Sequence, residues 1–196
     1  MGIFIDIAFT LIMLIAIIAV AVSLFYESKT DIASVPTMPW VKKELIKYLR
    51  TKLSSGKPYK IAELGSGWGS LAFGLNRAFP KSRIIGYELS PIPYWISTFM
   101  NKITGDTNAI RFLRRDFFSE YLGDVNMVIF YLSGRHTIRL KDKLEEELKP
   151  GSVVISNSFP VPGWKPVKIL TTKVFMELKI YVYVMKDKNN IAQDNA

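Results

Sequence analysis

The most one-sided stretch of the chain comes first: Ile7 to Tyr26 carries no charged residue and is almost wholly apolar. A helix of about 20 residues reaches roughly 30 Å, the hydrocarbon thickness of a bilayer. A helix packed into a soluble core keeps a polar face, and this one has none. Residues 1–27 are therefore expected to form a single transmembrane helix, with Phe25 and Tyr26 at the membrane interface. A cleaved signal would need a basic leader, whereas Met1 to Asp6 contains no Lys or Arg, so an uncleaved anchor is expected. Lys29, Lys42, Lys43 and Lys47 follow the span and none precedes it. That asymmetry predicts a single-pass membrane protein with its domain on the cytoplasmic side. Residues 28–40 read as a linker, in which Pro36 and Pro39 stop any continuing helix.

From Val41 the pattern becomes that of a folded domain, expected over residues 41–188. Val41, Leu45, Tyr48 and Leu49 share one face of a helix that Ser54-Ser55-Gly56 ends. Short apolar runs then alternate with helical spacing. Strands are expected at 59–64, 83–89, 109–115, 126–132 and 152–157, with helices at 70–79, 94–103 and 138–148 between them. Such alternation gives an α/β fold with a mostly parallel sheet. Two further strands, near 167–174 and 177–185, are too close for a helix to pass between them. They must form a hairpin, so the last strand runs antiparallel. Residues 189–196 are polar and expected to be a disordered tail.

Composition narrows the chemistry. The chain has 196 residues and no cysteine, which excludes disulfides, thiolate metal sites and cysteine nucleophiles. Its one histidine, His136, excludes a multi-histidine metal site, and no metal is expected. A net charge of +9 raises nucleic acid as a partner. The Lys and Arg are scattered, however, and a basic domain beside anionic lipid explains the charge better. Each such residue near that surface gains roughly 1 kcal/mol. A lipid bilayer is thus the expected partner, with no nucleic acid favoured.

Glu63-Leu64-Gly65-Ser66-Gly67-Trp68-Gly69 joins the first strand to the next helix. Glycines there let the backbone turn sharply and approach a ligand closely, in front of unpaired helix amides. The spacing G-x-G-x-G departs from the dinucleotide fingerprint, since position 70 is Ser, and lacks the Lys of a phosphate loop. Glu63 would repel a pyrophosphate but suits the cationic end of S-adenosylmethionine. Glu88 ends the second strand about 20 residues on, where a carboxylate takes both ribose hydroxyls. Glu63, Gly65, Ser66, Gly67, Gly69, Glu88 and Leu89 are the candidate cofactor residues from these two segments. His136 follows the fourth strand as an isolated candidate base, and Glu145-Glu146-Glu147 reads as a solvated helix face.

Over about residues 41–185 the set resembles the class I, seven-stranded S-adenosylmethionine-dependent methyltransferases, which are Rossmann-like. That resemblance implies a terminal hairpin unlike that of dehydrogenases. It also implies that Asp116 accepts from the adenine amino group while Phe117 stacks on the ring. More narrowly, Pro36 to Trp40, the pairing of Glu-Leu-Gly-Ser-Gly with Gly-Tyr-Glu-Leu-Ser-Pro (residues 86–91), Trp95, and the run from Ser158 to Trp164 carry a further likeness. They resemble the membrane-anchored protein-lysine methyltransferases that act on the ATP synthase c subunit and the adenine nucleotide translocase. The chain departs from that family in having Trp68 where an acid is usual, and Glu rather than Asp at the end of the first strand.

The resemblance implies an acceptor lysine of a membrane-associated protein, entering opposite the sulfonium through a channel of low polarity. Trp40, Tyr94, Trp95, Tyr131, Phe159 and Trp164 are candidate walls. Ser158 and Pro160 are added from the stiff loop beyond the fifth strand, because ligands sit past the carboxyl ends of parallel strands. Methylation of a lipid or quinone, or cofactor binding without catalysis, would fit the same residues.

Overall fold

A computed structural model describes residues 2–30, 37–132, 134–173 and 177–187. Seven strands form one sheet: β1 (Lys60–Leu64), β2 (Arg83–Tyr87), β3 (Ile110–Leu113), β4 (Met127–Phe130), β5 (Val153–Asn157), β6 (Lys168–Lys173) and β7 (Glu177–Val184). Their order is β3-β2-β1-β4-β5-β7-β6. β1 to β5 are parallel and β7 is antiparallel to both its neighbours, as the short connection required. Residues 174–176 of that connection, and the tail expected to be disordered at 189–196, lie outside the described residues.

The chain builds β1, β2 and β3 outward in one direction and then returns to place β4 on the other side of β1. The sheet thus reverses between β1 and β4, and a crevice opens at their carboxyl ends, the general ligand position of such sheets. Strand alternation supplies two cores. Ile61, Ile84, Ile110, Met127, Ile129 and Ile155 meet Val41, Leu45 and Leu49 of helix α2 (Pro39–Lys52) and Leu71 and Leu75 of α3 (Ser70–Ala78). On the other face Ala62, Leu64, Val128, Phe130 and Val154 meet Leu140 and Leu144 of α5 (Gly134–Glu147). Glu63 falls on the α2/α3 face by the same alternation, which fixes its chemistry below.

Two helices begin earlier than apolar spacing indicates. α4 spans Pro91–Thr104, three residues ahead of Tyr94, with proline in its first turn. Proline is tolerated there because the first amides have no intrahelical partner. α2 opens on Pro39 for the same reason, inside the stretch expected as linker.

The N-terminal helix α1 runs from Gly2 to Thr30, three residues past the expected end of the anchor. Its expected service as a membrane span is not supported: among the described residues no helix is long and apolar enough to cross a membrane. Side chains at 2–4, 12, 15, 16, 19, 20, 23, 24 and 27–30 lie outside that description, so only broken runs of the helix are covered. Ile7, Phe9, Leu11, Leu14, Ile17 and Ile18 are each more than half exposed.

Candidate active site

Three left-handed glycines shape the turn after β1: Gly65 at φ 75°, Gly67 at φ 52° and Gly69 at φ 77°. A Cβ on Gly65 or Gly67 would meet open space, whereas one on Gly69 would strike the Phe112 ring at 2.6 Å. Glycine is needed at the first two for backbone conformation and at the third for packing as well. The open side of the turn faces a cavity of about 690 Å³. Glu63, Gly65, Gly67, Glu88, Leu89, Asp116 and Phe117 all line it, so seven of the nine expected cofactor residues converge. Ser66 and Gly69 support the turn from behind: Ser66 is buried and donates its amide to Tyr87 O, and its own carbonyl accepts from Gly69 N.

Glu88 points at the turn. Its Oε2 accepts from Gly67 N at 2.7 Å and its Oε1 from Ser90 N at 2.8 Å. Each carboxylate oxygen retains a second lone-pair direction, so these bonds orient the group without exhausting it. Gly86, two residues before it, has no room for a Cβ, which would lie 2.6 Å from Phe112 and 2.8 Å from Ser66 Oγ.

Glu63 is buried and lines the same cavity. Burial is the main cause that pushes its carboxyl up from 4.5 to about 8. The charge of Glu88 adds to the rise, while the Ala72 amide at the start of α3 and the Lys42 charge on α2 oppose it. Its Oε2 is buried with no hydrogen-bond partner. An orphaned carboxylate oxygen in low-polarity surroundings is costly to keep and asks for a cation or a proton. A sulfonium nucleoside carrying an ammonium group meets that demand, and a pyrophosphate does not. The donor set therefore fits S-adenosylmethionine. Among the described residues no group of three acidic or histidine side chains is placed to hold a metal.

Asp116 is not paired with Arg115, whose guanidinium binds Glu120 at 3.1 Å instead. Asp116 Oδ1 accepts from Phe118 N at 2.9 Å and caps the short helical turn Phe117–Ser119. That bond fixes the carboxylate at the cavity edge beside buried Phe117.

The expected substrate walls separate into two groups. Tyr131 lines the cavity and stacks on Phe159, with ring centroids 5.9 Å apart and planes 20° from parallel. Ser158 holds the turn into that pair at φ 67°, a left-handed conformation uncommon outside glycine. Its amide donates to Lys179 O at 2.8 Å, and Ser156 Oγ donates to Phe159 O at 2.5 Å. Pro160 is exposed just beyond. The other aromatics are elsewhere. Trp164 packs edge-on against Tyr183 and donates its Nε1–H to Glu145 at 2.6 Å, so it braces α5 rather than the cavity. Trp40 and Tyr94 pack against the α2/α3 core, and Trp95 faces outward. Glu147 is also a correction: it accepts from Leu122 N at 2.6 Å and pairs with Lys143, and so is structural rather than part of a solvated face.

Sequence reasoning missed several lining residues. Thr37, just ahead of α2, and Val41 and Leu45 on it close the cavity, Ser90 and Asn157 add polar groups, and Arg139 lies 4.0 Å over the Phe118 ring. His136 lines the cavity too. Tyr26, expected at a lipid interface, also lines it, and its hydroxyl accepts from Arg114 at 2.9 Å.

Comparison with known proteins agrees with this geometry. Over 118 residues the chain is 30% identical to the adenine nucleotide translocase lysine N-methyltransferase of Mus musculus, which covers 60% of this chain and 51% of that protein. The chain thus spans about half the length of that relative. It is 26% identical to a protein-lysine N-methyltransferase of Saccharolobus islandicus, over 64% of this chain and 78% of that one. In three dimensions it resembles an RNA methyltransferase of Salinibacter ruber solved with S-adenosyl-L-homocysteine, at a TM-score of 0.69 and 23% identity. That likeness covers 79% of this chain and 95% of the other, and it shows the fold. The model of the ANTKMT methyltransferase domain matches residues 63–168, from the orphaned glutamate of β1 to the first residue of β6 and more than half of the chain. With its glycine turn, paired glutamates and terminal hairpin, the chain belongs to the ANTKMT methyltransferase domain family.

Proposed function

We propose that the protein is an S-adenosylmethionine-dependent protein-lysine N-methyltransferase held at a membrane by α1. The observation that carries the reading is the orphaned Glu63 Oε2 facing the same cavity as Glu88 behind an open glycine turn. Glu63 holds the ammonium end of the cofactor, Glu88 the ribose hydroxyls, and Asp116 with Phe117 the adenine. When bound, the cofactor supplies an electrophilic methyl group. The chain's own work is positioning and exclusion of water. The Tyr131–Phe159 pair forms the rim through which a lysine enters, and their rings replace water around its amine. Desolvation disfavours the charged form, so the lysine arrives more readily neutral and nucleophilic. The lysine assignment rests on the substrates of the relatives, two of them named for protein lysine.

The membrane part rests on the uncharged run Ile7–Tyr26 inside a 29-residue helix and on the net charge of +9. The lysines that follow the run support a domain on the cytoplasmic side. An anchor restricts the enzyme to acceptors near the bilayer.

The test is to incubate membranes with the purified full chain and methyl-labelled S-adenosylmethionine, then separate protein from lipid extract. The reading expects label in protein, on lysine. Label confined to the lipid extract would refute it and indicate a lipid or quinone acceptor.

A further inference from the structure

The polarity of α4 is inverted. Its inward face carries small polar residues: Ser97 and Asn101 are buried, with Ser97 Oγ donating to Tyr94 O at 2.9 Å and Asn101 Nδ2 to Ile110 O at 2.8 Å. Its outward face carries Trp95, Phe99 and Ile103, which are 60%, 62% and 63% exposed, with Ile96 and Met100 one strip over. Positions i, i+4 and i+8 stack along one side of a helix, so these five form a continuous apolar strip. A patch of this kind on a soluble domain marks a surface that something apolar covers.

We propose that this face of α4 lies in the lipid interface beside α1, giving the domain a second contact with the bilayer. The proposal rests on the reading of α1 as a membrane anchor. Three observations select lipid as the occupant. First, α1 packs against α4, so the strip lies next to the apolar helix. Second, Arg114 ties the two together: it donates to the Tyr26 hydroxyl near the end of α1 and to Leu89 O, two residues ahead of α4. Third, an exposed cation, Lys102, sits beside the strip on α4 itself. Anionic headgroups attract such cations, with their apolar stems along the surface. A second copy of the chain would set cations of the same sign against each other. Trp95 at the start of the strip suits the headgroup level, where tryptophan concentrates. With α1 and α4 both engaged, the domain is held to the bilayer at two points rather than one.

The chain contains no cysteine, so one introduced thiol can be labelled uniquely. The full-length Phe99→Cys variant, carrying a polarity-sensitive dye, is reconstituted into phosphatidylcholine–phosphatidylglycerol vesicles, with Ile103→Cys as a second site. Ser55→Cys, on the exposed turn after α2, is the aqueous reference. The expected result is flotation with the vesicles, a blue shift at 99 and 103, and loss of most of their emission when the acyl chains are brominated. The label at 55 should stay unquenched. Flotation with water-like emission at 99 and 103 overturns the α4 proposal and leaves the anchor standing. A blue shift without bromine quenching also overturns it, because protein then covers the strip. Failure to float overturns both.

Discussion

Glu63 should make cofactor binding release a proton. With its carboxyl at about 8, about nine in ten empty molecules carry that proton at pH 7. An ammonium group placed against Oε2 favours the carboxylate, so binding at pH 7 should expel close to one proton. Affinity should then rise roughly tenfold from pH 6 to pH 7, because one proton competes with the ligand. The gain tapers near pH 8, where Glu63 is already half ionised in the empty protein and the α-amino group of the cofactor is losing its own proton. Titration calorimetry at pH 7 in two buffers of different ionisation heat reads the proton directly. Glu63→Gln should release none, bind more weakly and lose the dependence between pH 6 and 7. Wild-type protein that binds with no proton release, and equally well at both pH values, would refute the reasoning. The same shift sets a stability trend in the empty protein. The protonated fold is fully favoured below 4.5, and that advantage is lost as pH rises through about 8. Over this window the loss is on the order of 5 kcal/mol, readable as a falling urea midpoint.

Other consequences follow from the same cavity. Gly67→Ala meets open space in the fold, so it should cost only about 1–2 kcal/mol of stability for the left-handed residue while its methyl occupies ligand space; calorimetry should show a larger loss of binding than of Tm. Gly86→Ala should do the reverse, with Phe112 at 2.6 Å forcing a repacking of about 1–3 kcal/mol that thermal unfolding detects. Glu88→Gln should weaken cofactor binding by about 10- to 100-fold, the worth of charged hydrogen bonds. Phe159→Ala should raise KM for the lysine acceptor and leave cofactor affinity unchanged, since Phe159 reaches the site only through Tyr131.

The parts of the molecule that depend on local chain chemistry were legible. The G-x-G-x-G spacing fixed a turn, alternation fixed the strands, and the distance between the last two runs dictated the hairpin. What depended on which neighbour lies behind a side chain was not. Trp164 and Tyr131 look equivalent in sequence, yet one braces α5 through Glu145 and Tyr183 while the other faces the cavity. Glu145-Glu146-Glu147 looks like a solvated face, and Glu147 instead holds a loop amide. The raised carboxyl of Glu63 comes from its burial in the folded chain, which no spacing reveals. The left-handed Ser158 has no signal either, because a serine does not advertise positive φ as a glycine does. The outward apolar strip of α4 was hidden for a related reason: helical spacing gives an apolar face but not its direction.

The most direct test of the account is a crystal structure of the chain with S-adenosyl-L-homocysteine. The account predicts the ligand in the crevice between β1 and β4, its ammonium against Glu63 Oε2 and its ribose hydroxyls on Glu88. A ligand bound elsewhere, or one that leaves Glu63 Oε2 without a partner, would contradict it.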